Sequence, residues 1–472
     1  MSLTPAQMLD GDLLSNVDPA VQAANTAANR AARAFWSWSR TDAQQRKDTL
    51  RAMADALSSG HADLTELAAS EVGAAPQWVD FNIQIAQRTL LQACELVDLL
   101  ADQTVQHDDG RQSIIRRQAV GVVLGFVPWN APITLAVRAM AAPMACGNTV
   151  VLKASEHCPQ THRKIVELFA NAGLPDDVAT VVTNAPEDSL TVARALIQNP
   201  AIRRINFTGS TRVGQIIAEE AARSLKRCVL ELSGKAPLIV LEDADIEAAS
   251  AAAMVGAFFN QGQVCMSTER VLVVDSIADA FVEALVEKTA QLRASDPKYS
   301  TTTLGRLIND DAAARVRSLI DEAVANGAKL CIGGEVDGSV MQPAVLDDVS
   351  NKMRIYREES FGPVASIIRV QDAEEAISVA NDTDYGLAAA VFGQDVDRCM
   401  EIADRLETGI CQINGPTVFD DPHMPFGGMK ASGYGRFGGT TAIDEFTETR
   451  WLSQHRSLNA QDIEQMLNLG RT

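Results

Sequence analysis

The first hundred residues carry a helical rhythm. Residues 17–38 are rich in alanine, and Thr41 followed by Gln44 reads as a capping box opening a second helix that runs to about residue 57. From about residue 114 the period changes. Short β-branched runs at 121–127, 149–152, 179–182, 204–207 and 229–230 alternate with amphipathic helical segments at 161–171, 189–198 and 213–224. Such alternation predicts a parallel sheet covered by helices on both faces. A second series predicts another α/β unit beginning near residue 233: helix 246–260, strand 270–274, helix 278–293, strand 365–370, helix 373–381 and strand 388–392. The stretch 119–137 has no charged residue, but Pro128, Asn130 and Pro132 interrupt it. It reads as a buried strand running into a loop rather than a membrane span.

A chain of 472 residues exceeds one hydrophobic core, so two or three units are expected. With 46% apolar and 22% charged residues the composition is that of a globular protein. The net charge of −20 disfavours nucleic acid as a partner, because phosphates would be repelled. None of the eight cysteines forms a CxxC pair, and the start of the chain lacks the pattern of a secretory leader. They therefore read as reduced thiols in a cytoplasmic protein, and no metal site is expected.

Four segments carry candidate chemistry. Cys265 follows an apolar helix in Asn260-Gln261-Gly262-Gln263-Val264-Cys265. A polar turn with a glycine can expose a thiol and aim backbone N–H groups at a carbonyl under attack. The Cys265 N–H and the Asn130 amide are candidate donors to the resulting oxyanion. A small buried hydrophobe is the competing reading of this cysteine. Glu231 follows the strand at 229–230, at the end of an α/β sheet where ligands bind, and burial there would raise its pKa toward that of a general base. A solvated surface glutamate fits the local sequence equally. Phe207-Thr208-Gly209-Ser210-Thr211-Arg212-Val213-Gly214 reads as strand, turn and helix start, suited to a pyrophosphate or to a plain connection. Lys153 and Glu156, beyond the strand at 149–152, could contact ribose, with Glu156 repelling a 2′-phosphate; a solvated turn is the alternative.

Taken together these segments resemble the aldehyde dehydrogenase superfamily. Pro128-Trp129-Asn130, Lys153-Ala154-Ser155-Glu156, Phe207-Thr208-Gly209-Ser210, Glu231-Leu232-Ser233-Gly234-Lys235, Gly262-Gln263-Val264-Cys265, Glu358-Glu359-Ser360-Phe361-Gly362-Pro363 and Pro425-Phe426-Gly427-Gly428 carry the likeness, in order, across about residues 115 to 450. Within the superfamily the likeness is to aromatic aldehyde dehydrogenases of the salicylaldehyde, benzaldehyde and vanillin type. It is carried by Cys265-Met266-Ser267-Thr268-Glu269-Arg270, Ile413-Asn414-Gly415-Pro416-Thr417-Val418 and the run from Gly433 to Gly439.

The resemblance implies an α/β fold with a Rossmann-like cofactor domain over residues 1–232, a catalytic domain over 233–432, and a return to the cofactor domain over 433–472. Oligomerisation would use the segment near 103–119 and the C-terminal tail, giving a homodimer or homotetramer. It implies NAD, with NADP possible, and an aldehyde substrate. Cys265 matches the nucleophile, Glu231 the general base and Asn130 the oxyanion-hole side chain. Val127, Trp129, Lys153, Glu156, Gly209, Ser210, Val213, Gly214, Glu359 and Phe361 match the cofactor site, and Glu448 a second glutamate implicated in proton relay. Trp78, Phe81, Arg138, Phe419 and Tyr434 could line an aromatic pocket, although core packing or surface placement would explain each as well. Two departures stand out: Ser233 replaces the first glycine of the usual ELGGK, and little precedes residue 17 to match the family's opening strands. An aliphatic or semialdehyde dehydrogenase of the same family, a cofactor-independent cysteine hydrolase and a non-catalytic structural protein are the rival readings.

Overall fold

The computed structural model describes residues 18–108, 110–298 and 302–455, so the expectation about opening strands before residue 17 lies outside the described residues. The chain begins with four helices, Pro19–Trp38, Ala43–Ser59, His61–Val72 and Pro76–Asp98. Pro19 opens the first because a first-turn N–H has no intrahelical partner to lose. The second is capped by Asp42, not by Thr41: Asp42 accepts the Gln44 N–H at 2.9 Å, and the Thr41 hydroxyl instead donates to the Ser37 carbonyl. A carboxylate is a stronger acceptor than a hydroxyl at a helix start.

Two sheets follow. The first has six strands in the order Gly433–Tyr434, Arg227–Glu231, Ile202–Thr208, Val122–Phe126, Thr149–Lys153 and Ala179–Val182. All neighbours are parallel except the short Gly433–Tyr434 strand, which runs antiparallel to Arg227–Glu231. The second has seven strands in the order Lys329–Ile332, Ala344–Asp347, Val364–Val370, Thr268–Val274, Ala236–Val240, Ala388–Phe392 and Ile410–Ile413, with only the first antiparallel to its neighbour. A separate three-stranded antiparallel arm joins Gln103–Gln106, Gln112–Ala119 and Thr447–Gln454. Among the described residues no helix is long and apolar enough to cross a membrane.

Registers position the cleft. Phe126 pairs with both Lys153 and Phe207, and Thr208 pairs with Glu231, so the strands of the first sheet end together. Glu231 is thus the last residue of its strand rather than the first beyond it. The charge-free stretch gives the strand Val122–Phe126, a loop, and then a helix, Pro132–Ala145, which the pattern did not predict. Pro132 starts this helix instead of breaking it. All 14 of its residues are buried, so its single charge, Arg138, has to find a buried partner.

The turn before Cys265 departs most from expectation. The α-helix Ile246–Phe258 stops short of residue 260, and Asn260, Gln261 and Gly262 take left-handed φ values of 49°, 55° and 70°. Left-handed backbone costs about 1–2 kcal/mol per non-glycine residue. Buried side-chain bonds hold it here: Asn260 donates to the Asn130 carbonyl, and Gln261 donates to the Arg306 carbonyl and accepts the Gly305 N–H. At Gly262 an added Cβ would lie 2.1 Å from the Gly362 carbonyl oxygen. Gly262→Ala should therefore destabilise the protein by about 3 kcal/mol, read as a lowered midpoint in urea unfolding. An unchanged midpoint would show that the turn can relax.

Candidate active site

The ends of the first sheet's strands face the beginnings of the second sheet's strands. Loops from the first, 127–131, 154–157, 209–210 and 232–235, meet loops that precede Thr268 and Val364 in the second. Between them lies a cavity of about 290 Å³ lined by Asn130, Glu231, Ser233, Cys265, Glu359 and Phe361, among others. It shares Pro128, Trp129, Thr208, Gly209 and Ser210 with an adjoining groove of about 510 Å³. The two form one continuous depression.

Cys265, Glu231 and Asn130 converge on the smaller cavity. Glu231 is 1% exposed, and neither carboxylate oxygen has a hydrogen-bond partner among the described residues. Burial pushes its carboxyl up to about 7, helped by Glu359 and Asp420 and opposed by the neighbouring Cys265 thiol and the Arg138 guanidinium. Burial and then the Glu231 carboxylate raise the Cys265 thiol well above its ordinary range. The resting pair is thus a protonated thiol beside a carboxyl that titrates near neutrality. Asn130 is held from several sides: its amide donates to the Gln263 carbonyl at 3.0 Å, and its own carbonyl accepts from Trp78 at 2.8 Å and Asn260 at 2.9 Å. One amide hydrogen remains. The Cys265 N–H likewise makes no hydrogen bond among the described residues. Two donors are therefore available where an oxyanion would form.

Along the groove, Ser210 caps the helix Thr211–Ala222 by accepting the Val213 N–H. The Thr211 and Arg212 N–H groups have no acceptor among the described residues, so the helix start offers free donors to an anion. Val127, Trp129, Lys153, Glu156, Gly209, Ser210 and Val213 line this groove. Burial pushes Glu156 up, but its bonds to Lys153 and the Ser189 hydroxyl outweigh that and hold its carboxyl down to about 2. At the other end, burial and Glu269 push Glu359 up to about 7, against the Ser233 hydroxyl, the Gly234 N–H and Lys235. Unpaired helix N–H groups at the centre and a carboxylate at either end fit a dinucleotide with a ribose at each end.

Residues 9–452 match the model of the aldehyde dehydrogenase family. The chain belongs to that family. It is 50% identical over 447 residues to a vanillin dehydrogenase of Pseudomonas sp. (strain HR199 / DSM 7063), covering 94% of this chain and 92% of the relative. It is 45% identical over 429 residues to a salicylaldehyde dehydrogenase of Pseudomonas sp. (strain C18), covering 90% and 89%. Among solved structures, a salicylaldehyde dehydrogenase from Pseudomonas putida G7 complexed with salicylaldehyde superposes with a TM-score of 0.91 at 44% identity, covering 93% of this chain and 91% of that one. Aldehyde dehydrogenases oxidise aldehydes to carboxylic acids with NAD(P), so this chain is an oxidoreductase of that type.

Several expected residues stand elsewhere in this aldehyde dehydrogenase. Gly214 is buried inside its helix, where a Cβ would lie 2.4 Å from Leu232; it lets helix and strand pack and does not line the groove. Glu448 is exposed on the arm and neutralises buried Arg204, away from the cavity. Tyr434 lies at the edge of the first sheet in a separate cavity with Arg227 and Cys228. Phe419 is about half exposed and does not line the cavity. Arg138 is spent on a buried ion pair with Asp420 and lies 4.1 Å over the Phe426 ring, so its charge reaches the cavity only through space. Trp78 and Phe81 stack at 5.4 Å, and both pack edge-on against Phe259 directly behind Asn130 and Asn260. Sequence reasoning missed Phe259, Glu269 and Arg315. Arg315 lines the cavity and donates to the Glu359 and Ser360 carbonyls. Phe259 was signalled only by its adjacency to the Asn260 turn and Glu269 only by its place in the run from Cys265 to Arg270, and nothing signalled Arg315.

The buried carboxyl has a stability signature. Folding raises the Glu231 pKa from its ordinary 4.5 to about 7, so the penalty for burying its charged form is absent below pH 4.5 and full above pH 7. Glu231→Gln should therefore gain up to about 3 kcal/mol over the parent at pH 8, fading to nothing by pH 4.5, in urea unfolding at the two pH values. A gain that is the same at both would rule out burial of the charged form as its cause.

Proposed function

We propose that this chain oxidises an aromatic aldehyde to its acid with NAD, using Cys265 as nucleophile, Glu231 as base, and Asn130 with the Cys265 N–H as oxyanion donors. The observation that carries the reading is the convergence of thiol, unpartnered buried carboxyl and two free donors on one cavity continuous with the groove. The Cys265 proton passes to Glu231 as sulfur bonds to the carbonyl carbon, and the carbonyl oxygen takes up negative charge against the two N–H groups. NAD, which Glu359, Phe361 and the groove residues would hold, would supply the acceptor for the hydride lost by the substrate carbon. Glu231 then releases that proton to solvent and takes another from water. The water oxygen bonds to the Cys265 thioester carbon, and the C–S bond breaks as the acid leaves and Glu231 returns the proton to sulfur. A base titrating near 7 suits that second step at neutral pH.

Aromatic preference rests on the Trp78–Phe81–Phe259 cluster behind Asn130 and on similarity to vanillin and salicylaldehyde dehydrogenases. NAD over NADP rests on Glu156, which stays ionised at the ribose end and would repel a 2′-phosphate. In this reading residues 1–232 form the cofactor domain, residues 233–432 the catalytic domain, and 433–472 return to the first. The three-stranded arm, with exposed Gln103–Gln106 at its edge and exposed Trp451, serves a homo-oligomer. Eight free thiols agree with a cytoplasmic setting.

Cys265→Ala should retain NAD affinity and lose aldehyde oxidation, whereas Glu231→Gln should slow both the first turnover of NADH and the steady state, because both proton transfers lose their acceptor. Appreciable turnover in the first variant, or a parental steady state in the second, would sink the assignment. With the parent enzyme, benzaldehyde should be oxidised with a kcat/KM at least about tenfold above propanal, and NAD should be preferred to NADP. Phe259→Ala should erode the first preference and Glu156→Gln the second, each in steady-state assays.

A further inference from the structure

Glu359 and Phe361 reach the cavity on a segment whose backbone is unusual. Phe361 has a φ of 43°, a left-handed value costly for an aromatic residue, and its ring packs edge-on against Trp129 at 5.8 Å. Such a segment keeps its shape only if bonds around it impose one. Behind it lies a buried ion pair. Lys235, just before the strand Ala236–Val240, meets Glu269 of the adjacent strand at 2.7 Å, and the two are 1% and 3% exposed. The Lys235 ammonium also donates to the Glu358 carbonyl at 2.7 Å. Both Glu269 oxygens lie 3.0 Å from the Ser360 N–H, and one accepts the Phe361 N–H at the same distance. From the solvent side, Arg315 donates to the Glu359 carbonyl at 3.0 Å and to that of Ser360 at 2.5 Å. The Gly234 N–H, next to Lys235, binds the Glu359 carboxylate at 3.1 Å.

Neither Lys235 nor Glu269 lines the cavity. Their route to it runs through residues 358–361. A buried ion pair contributes little net stability, because two desolvation costs offset the attraction. Its polar capacity here is directed at the backbone of one four-residue segment. We infer that the Lys235–Glu269 pair is a positioning latch that holds Glu359 and Phe361 where they receive the nicotinamide end of the cofactor. This rests on the reading of the cleft proposed above.

The latch predicts a selective defect. In the full-length enzyme, Glu269→Gln and Lys235→Met should each raise the Kd and KM for NAD about tenfold, the scale of one lost charge-assisted hydrogen bond, and should lower kcat. Affinity for AMP, which carries neither nicotinamide nor its ribose, should stay within about twofold of the parent. If a single variant does not fold, the double substitution, which leaves no buried charge unpaired, serves the same comparison. Equal weakening of NAD and AMP would mark a general structural role and overturn the latch, as would unchanged NAD parameters in folded variants. Glu359→Gln measured alongside separates the two readings. If it weakens NAD and the latch variants do not, the latch alone falls; if it also leaves NAD unchanged, the reading of the cleft falls and the latch with it.

Discussion

Glu231 ends a parallel strand with both carboxylate oxygens buried beside the Cys265 thiol and no hydrogen-bond partner at normal distance among the described residues. Such a group is costly in the resting protein, and much of the surrounding structure bears on that cost. The carboxyl meets it partly by staying protonated until near neutral pH, and partly through the field of Arg138, whose guanidinium is itself fixed by Asp420. The same burial keeps the Cys265 thiol neutral. Two groups that each resist ionisation face one another, an arrangement suited to the coupled proton transfer and attack proposed for them.

The cleft also depends on how the two sheets oppose. The first presents the ends of its parallel strands, with helix Thr211–Ala222 starting there and its N–H groups turned toward the groove. The second presents the beginnings of its strands, and the loops leading into Thr268 and Val364 carry the thiol and the Glu359 carboxylate. Free helix-start donors therefore come from one unit, and the Cys265 thiol from the other. Gly234 crosses between them, and a Cβ there would lie 2.4 Å from the Cys265 carbonyl oxygen. Beside it, Ser233 contributes a hydroxyl to Glu359 where the family usually has glycine.

Much of this was legible in the chain because it is written in short-range pattern. The helices Ser189–Gln198 and Ala373–Asn381 and the strands Ala179–Val182 and Ala388–Phe392 fall where periodicity put them. Failures occur where tertiary contacts override local preference. The helix before Cys265 stops at Phe258 because bonds from distant Asn130, Gly305 and Arg306 stabilise a left-handed turn. The helix at 132–145 escaped notice because a uniformly apolar segment has no amphipathic period to read. Arg138 was a candidate for the wall of an aromatic pocket, but its guanidinium is taken up by Asp420, which lies 282 residues away. Glu269 and Arg315 bond only to backbone and to residues far along the chain, and nothing in their local sequence signals that.

That 282-residue separation bears on how the molecule is made. Helix Pro132–Ala145 packs inside the first unit, yet among the described residues its cation has no hydrogen-bond partner until Asp420 is present. Asn148 likewise needs the Phe446 carbonyl, and the Arg227–Glu231 strand its neighbour at Gly433–Tyr434. A nascent chain emerging from the ribosome therefore cannot complete these contacts until residues as late as Phe446 have been made. Consolidation of that first-synthesised unit consequently lags its synthesis, with an apolar helix waiting for its counter-ion.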